Sequence, residues 1–218
     1  MTATQFDDSP SISASERIAD ELRELILIGE YKPGDWLRQE DIAERFGASR
    51  LPVRVALRIL EAEGLAVHEP RRGARVPLLS PIEVSVIYKT RERLEPLALL
   101  ESLPHLTETD LAELVALQHE IEQNNDVSRF VLLDRAFHLL TYSRCPSDQL
   151  NAMVTRMWNS TQYYRREFVQ AGDSSRMKIV NAEHQLLLDA ILRRDGVDAE
   201  RYLAGHIRRT RVQLTRQQ

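Results

Sequence analysis

The chain has 218 residues, 43% of them apolar, and carries 29 Lys and Arg against 33 Asp and Glu, a formal net charge of −4. This length and apolar share allow one or two cores, the single cysteine, Cys145, excludes an internal disulfide and fits a reducing compartment, and no apolar run approaches the ~18 residues of a membrane helix. The polar, acidic opening MTATQFDDSPSISAS lacks the basic and apolar stretches of a secretory signal, so a cytoplasmic protein without a membrane partner is expected, with residues 1–14 as a disordered tail.

Leu37 to Val76 reads as two short helices around a tight turn, followed by a two-stranded basic wing. Ile42, Ala43 and Phe46 give one helix an apolar face that stops at Gly47. Ser49 then stands as an N-cap before a second helix whose apolar positions are Val53, Ala56, Leu57 and Leu60. Arg50, Arg54 and Arg58 follow one another at turn spacing on its outer edge. Leu65 to His68 reads as a strand, Glu69 to Gly73 as a turn and Ala74 to Val76 as the return strand, which sets Arg71 and Arg72 at the tip.

From Arg45 to Val76 there are seven Arg against three acids, a local balance of plus four within an acidic chain. A charge row on a helix is commonly just a solvated face. Helix, turn, helix and basic wing in this order instead predict a unit that binds double-stranded DNA, because guanidinium groups can bond guanine O6 and N7 or phosphate.

The organisation changes near Pro77. Beyond it the pattern predicts six helices, at about 82–102, 107–125, 127–143, 147–170, 174–195 and 198–216, with no strand. The expected fold is therefore mainly α: a winged helix-turn-helix domain over residues 15–78, then an all-helical bundle over 79–218.

The bundle carries a second constellation. Asp134 and His138 are four residues apart in VLLDRAFHLL and share a helix face. His184 lies among Val180, Leu187, Leu188 and Ile191, and His206 among Tyr202, Leu203 and Ile207, so both point toward the core. Such inward groups are either hydrogen-bonded core residues or ligands of a divalent ion that would satisfy all four. Three imidazoles with one carboxylate suit zinc first, with nickel or manganese also compatible.

At this point two resemblances become specific. The run SRLPVRVALRILEAEGL, then PRRGARV, resembles the winged helix of the GntR family of bacterial transcription regulators, whose pattern is close to SRTPVREAL.RLE.EGL. Upstream, ERIADELRELILIGEYKPGDWL resembles that family's first helix and the Pro-Gly turn after it. The resemblance implies DNA contacts at Arg50 and Arg54 and a close approach of the wing at Gly73; the residues themselves add Ser49, Arg58, Arg71 and Arg72 as candidate contacts. Leu51 departs from the family's Thr. The segments RERLEPLAL, LLDRAFHLL, NAEHQLLLDAILRRDGVDAE and RYLAGHIRRT resemble the FCD effector domain of the FadR-like branch. That similarity implies metal ligation by Asp134, His138, His184 and His206, a small organic acid as effector, a homodimer and, most often, repression relieved by the ligand.

Arg91 falls at the R..LE position of that domain, where an inward Arg can clamp a carboxylate; the alternative is a surface Arg paired with Glu95. Tyr163, Tyr164, Arg165 and Arg166 are weaker pocket candidates, expected on the rim and surface. In SRCPSDQL, Cys145 stands where the family often has Asn, and is expected to be a small packed residue. Two alternatives remain at this level: a purely structural metal, and a metal-dependent hydrolase. Against hydrolysis, HExxH and CxxC are absent, no catalytic residue is expected, and Glu183, about 100° from His184 on one helix, should leave the site.

Overall fold

The computed structural model describes residues 13–69, 72–172 and 174–214. Twelve of the fourteen residues expected as a tail lie outside that set. Ser13 and Ala14 instead belong to helix α1 (Ala14–Leu27): the Ser13 hydroxyl accepts from the Glu16 N–H and the Glu16 carboxylate from the Ser13 N–H, a reciprocal cap.

The N-terminal part packs α1 and α2 (Gln39–Arg45) against α3 (Arg50–Ala62). Gly47, with φ of 58°, makes the turn between the last two, because a left-handed backbone suits a residue without Cβ. Ser49 holds the N-cap position of α3 with extended backbone, but its side chain makes no capping bond. The sheet is larger than the expected two strands. Trp36–Leu37 forms β1, Val67–Glu69 forms β2 and Gly73–Arg75 forms β3, in the antiparallel order β1-β3-β2. Both strands of the expected hairpin are displaced, to 67–69 and 73–75. Their own core is Ile18, Leu22, Ile42, Val53, Leu60, Leu65 and their neighbours.

Ser80 opens the second part by capping α4 (Pro81–Ser102) in a reciprocal bond pair with Glu83. A 3-10 turn (Leu103–His105) leads to α5 (Glu108–Gln123), α6 (Val127–Thr141), α7 (Asp148–Gln170), α8 (Ser174–Leu192) and α9 (Gly196–Leu214). The six helices form a bundle around a second core that includes Tyr88, Leu99, Leu114, Phe137, Trp158, Leu187 and Ile191. Cys145 is buried in it. Among the described residues no helix is long and apolar enough to cross a membrane.

The two parts meet along α7. The Arg156 guanidinium donates from Nη1 to the carbonyls of Glu61 and Ala62, both at 2.8 Å, and Asn159 Nδ2 donates to the Glu63 carbonyl at 2.8 Å. These carbonyls lie at the C-terminus of α3, where a cation also suits the helix dipole; that of Glu61 also accepts from the Gly64 N–H. Arg23 of α1 grips the Glu63 carboxylate with Nε and Nη2, both at 2.7 Å. Arg166 reaches the Ile28 carbonyl just after α1.

Gly64 is the tightest point of this junction. Its φ is 80°, and a Cβ there would sit 2.7 Å from Arg156 Cγ and 3.1 Å from the Arg156 carbonyl oxygen. Gly64→Ala is expected to cost about 1–3 kcal/mol through backbone strain, lowering the thermal midpoint by about 2–4 °C per kcal/mol for a chain of this size. Gly205→Ala, inside α9 with open space at the Cβ position, should hold or raise the midpoint. Differential scanning calorimetry of the two variants checks the opposite signs.

Candidate functional site

Four helices deliver the polar groups at the centre of the bundle. Asp134 and His138 come from α6, Arg165 from α7, His184 from α8 and His206 from α9. One ligand atom from each of Asp134, His138, His184 and His206 lies within 4.8 Å of the other three, and all four residues are buried. The imidazole centroids are 4.9 to 5.1 Å apart.

Neighbouring side chains fix two of the tautomers. His184 Nδ1 is 3.1 Å from Gln118 Oε1, while the amide nitrogen of Gln118 donates to Glu122 at 3.0 Å. An amide oxygen only accepts, so His184 carries its proton on Nδ1 and presents a bare Nε2, 3.6 Å from Asp134 Oδ1. His206 Nδ1 is 3.0 Å from Glu183 Oε2, which likewise frees its Nε2. Glu183 thus does not leave the site. It points away from His184's partners but crosses to α9, where it holds His206 and also pairs with Arg209. A second ring nitrogen held by an amide or carboxylate is the usual outer support of a metal-binding histidine.

Burial makes these imidazoles poor bases. It drives His184 down to about 3 and His206 down to about 4, with the neighbouring His206 charge adding to the first and Arg165 to the second. His138 is pushed well below the ordinary value, again mainly by burial. Burial is the largest influence on the Asp134 carboxyl and raises it, but the Arg165 charge, the neighbouring His138 and His184 and the Arg165 hydrogen bond together hold Asp134 below the usual carboxylate range. The result at neutral pH is three uncharged lone pairs beside one carboxylate.

Arg165 is inside the site, contrary to its expected place on the surface. Its Nε and Nη2 donate to the two oxygens of Asp134 at 3.2 and 3.0 Å. Arg91 is buried too, so its pairing with Glu95 (Nε to Oε1, 2.5 Å) is an interior one. Its Nη1 bonds Thr161, and its guanidinium lies 4.0 Å over the Trp158 ring. Tyr88, Arg91, Asp134, His138, Trp158, Arg165, His206, Ile207 and Thr210 line a cavity of about 10 Å³, room for one water-sized occupant. The other weak candidates stay out: the Tyr164 hydroxyl bonds Leu79, Tyr163 faces the cleft between the two parts, and Arg166 reaches Ile28.

Several buried polar atoms around this cavity have no protein partner: His138 Nδ1, His184 Nε2, Arg165 Nη1 and the Tyr88 hydroxyl. Each is costly to leave unpaired. The set is two-sided, with nitrogen lone pairs that suit a cation and a guanidinium N–H that suits an anion. Asp134 with the three histidines therefore fits a divalent metal by donor type and by unmet bonding capacity.

On the N-terminal part, Ser49, Arg50, Arg54, Arg58 and Arg72 are exposed and Gly73 opens β3; Arg71 lies outside the described residues. Arg50 pairs with Glu40 at 3.1 Å in a solvent-exposed contact. Arg45 and Arg75 are likewise tied to Glu30 and Glu69, so three of the seven local arginines have an acidic partner. Gln39, Arg54, Leu57, Arg58, Glu61, His68 and Ala74 line a cleft of about 240 Å³ between α3 and the strands.

A winged helix-turn-helix joined to an all-helical bundle defines a DNA-binding transcription regulator. The chain belongs to the gntR family of bacterial regulatory proteins, whose pattern matches residues 14–76, and carries an FCD domain over 86–209. It is 27% identical over 194 residues to an uncharacterised HTH-type transcriptional regulator of Bacillus subtilis, YdhC, covering 86% of this chain and 84% of the relative. It is 30% identical over 151 residues to the HTH-type transcriptional regulator McbR of Escherichia coli, covering 67% and 68%. The solved structure of E. coli McbR/YncC superposes with a TM-score of 0.82 at 26% identity, covering 95% of this chain and 99% of that one. The family and these relatives are regulators, not enzymes, which sets the hydrolase alternative aside.

The depressed histidines give the metal-free protein a defined acid sensitivity. An imidazole that titrates near 6.5 when unfolded and near 3 or 4 when folded binds more protons in the unfolded state between those values. Its stabilising contribution is thus complete above pH 6.5 and is lost as pH falls. Chelated protein should lose up to about 1.4 kcal/mol per pH unit for each such histidine from pH 6.5 down to about 4. Urea titrations at half-unit pH steps check this, and His184→Gln should flatten the slope.

Proposed function

We propose that this protein is a homodimeric, ligand-responsive repressor whose bundle binds a divalent metal, zinc in the first place, together with a small carboxylic acid. The observation that carries this reading is a set of unpaired buried atoms of two chemical kinds: the ring nitrogens His138 Nδ1 and His184 Nε2, and the guanidinium nitrogen Arg165 Nη1. Asp134, His138, His184 and His206 would hold the metal. When bound, it supplies a Lewis-acid anchor for an anionic ligand. Arg165 and Arg91 would bind and orient the acid, Arg165 through the Nη1 that Asp134 leaves unbonded. Gln118 and Glu183 keep His184 and His206 in the ligating tautomer.

The same helix that carries Arg165 also carries Arg156 and Asn159, which hold the end of α3. A shift of α7 on ligand binding therefore moves the DNA-reading helix relative to the bundle. Two such helices in a dimer meet the half-sites of a near-palindromic operator, and Arg50, Arg54, Arg58, Arg72 and Ser49 supply base and phosphate contacts. Differential affinity of the acid for two placements of α7 then changes operator affinity. A cytoplasmic location follows from this role.

The small cavity, about 10 Å³, favours a second reading in which the metal only braces the bundle. Elemental analysis of the untagged protein, with thermal-shift titrations of small mono-, di- and hydroxycarboxylic acids with and without chelator, separates the two. Stoichiometric metal and chelator-sensitive stabilisation by an acid are expected, about 2.7 kcal/mol at a hundredfold excess over Kd. Metal with no acid response supports the structural reading, and neither one sinks the metal centre.

Arg156→Ala tests the linkage. It should leave metal content and acid affinity of the isolated protein within a factor of about two, yet reduce the acid's effect on DNA affinity, typically 5–150-fold in coupled systems, by most of its value. Gel-shift titrations with and without the acid measure it. An undiminished effect removes α7 from the pathway.

A further inference from the structure

We propose that Leu51 and Val55 are specificity-determining residues that read thymine methyl groups in the major groove. This rests on the assignment of α3 as the DNA-reading helix. The buried stripe of α3 is Val53, Ala56, Leu57 and Leu60. At about 100° per residue, Leu51 and Val55 fall on the opposite side of the helix, one turn apart. They are 60% and 41% exposed, and no other large apolar residue of α2 or α3 is exposed.

Their surroundings specify the partner. Arg50, Arg54 and Arg58 are exposed beside them on α3, and Arg72 is exposed on the wing. An apolar pair set within a field of guanidinium groups fits an anionic partner that presents isolated methyl groups between its charges. Duplex DNA does this in the major groove, where only thymine among the four bases carries a C5 methyl. A Leu and a Val at the groove floor cannot bond base edges, so they read presence or absence of that methyl while the arginines supply polar contacts and phosphate attraction. Leu51 is also at the N-terminal end of the helix, the part of a reading helix that reaches base edges.

The test uses the full-length protein and a duplex selected from a random pool by the wild type. That duplex is remade with deoxyuridine at each thymine in turn, which removes one methyl group and nothing else. One or two positions per half-site should each lose about fourfold in affinity, the equivalent of one buried methylene. Leu51→Ala and Val55→Ala, at exposed sites that leave folding intact, should weaken binding to the thymine duplex by a similar factor. Each should also become indifferent to deoxyuridine at its own position. The inference is overturned if no deoxyuridine substitution matters, or if the sensitivity persists in both alanine variants. Arg50→Ala and Arg54→Ala separate the two levels. If they weaken binding while the methyl tests fail, α3 still reads DNA and only the role of Leu51 and Val55 falls. If they too leave affinity unchanged, the assignment of α3 itself is wrong.

Discussion

The bundle is organised around the burial of one carboxylate, Asp134, beside three imidazoles and a guanidinium. An isolated buried carboxylate would cost several kcal/mol after relaxation. Here Arg165 donates to both of its oxygens, and both groups are shut off from water. The donors come from α6, α7, α8 and α9, so the pairings exist only when those helices are packed together. Site formation and closure of the bundle are thus one event. Arg91, Glu95, Tyr142 and Trp158 extend the same arrangement into α4: Arg91 bonds Glu95, which accepts from Tyr142, which accepts from the Trp158 indole. Such a network is specific about geometry because every displacement leaves some polar atom unpaired.

The position of α7 follows from these demands. Its buried side must present Trp158 and Arg165 to the cavity, while Arg156 and Asn159 face the end of α3. Asn159 also accepts from Arg135 of α6 at 2.5 Å, so the carbonyl end of α3 is joined through Asn159 to the helix that bears Asp134. Gly64 removes the side chain that would hold the two parts apart. A rigid helix fixed at both the cavity and the reading helix has little freedom to move at one end alone.

Much of this was legible in the sequence for identifiable reasons. Long helices with capping residues declare themselves, and α4, α5, α6 and α7 began within a residue of their expected starts because Ser80, Thr107, Asp126 and Ser147 are strong caps. That Asp134, His138, His184 and His206 share one site was what the resemblance to the FCD domain implied; that they point inward followed from apolar periodicity and helix spacing. The β1 strand did not, since two residues, Trp36 and Leu37, carry no period and acquire meaning only by pairing with Arg75 and Ala74. Gln118 was overlooked, and Arg165 was ranked only a weak pocket candidate of the rim and surface, although a signal exists. Gln118 continues the buried series Leu111, Leu114, Ile121, and Arg165 continues Val154, Trp158, Thr161, Phe168, so each is a polar residue at an apolar position. Glu183 was misjudged because helix angle shows which way a side chain leaves its own helix, not which neighbouring helix waits there.

Charge accounting links the cavity to its proposed ligand. Among the described residues at the centre, Arg91 is balanced by Glu95 and Arg165 by Asp134, while the histidines stay uncharged because burial depresses them. The site is therefore close to neutral, and closed, on its own side chains. On the proposed reading, a divalent cation shared with Asp134 would leave this region with an excess of two positive charges in a medium where charge is poorly screened. Rearranging the existing groups cannot remove that excess, since Glu95 is already committed to Arg91 and Tyr142. Only an incoming anion can, and the nearest donor free to receive it is Arg165, through the Nη1 that Asp134 does not use. On that reading a carboxylate effector would suit the site for the same reason that the site can close without one: Arg165 keeps Asp134 as its partner in either state, and α7 would carry the difference made by the ligand on Nη1.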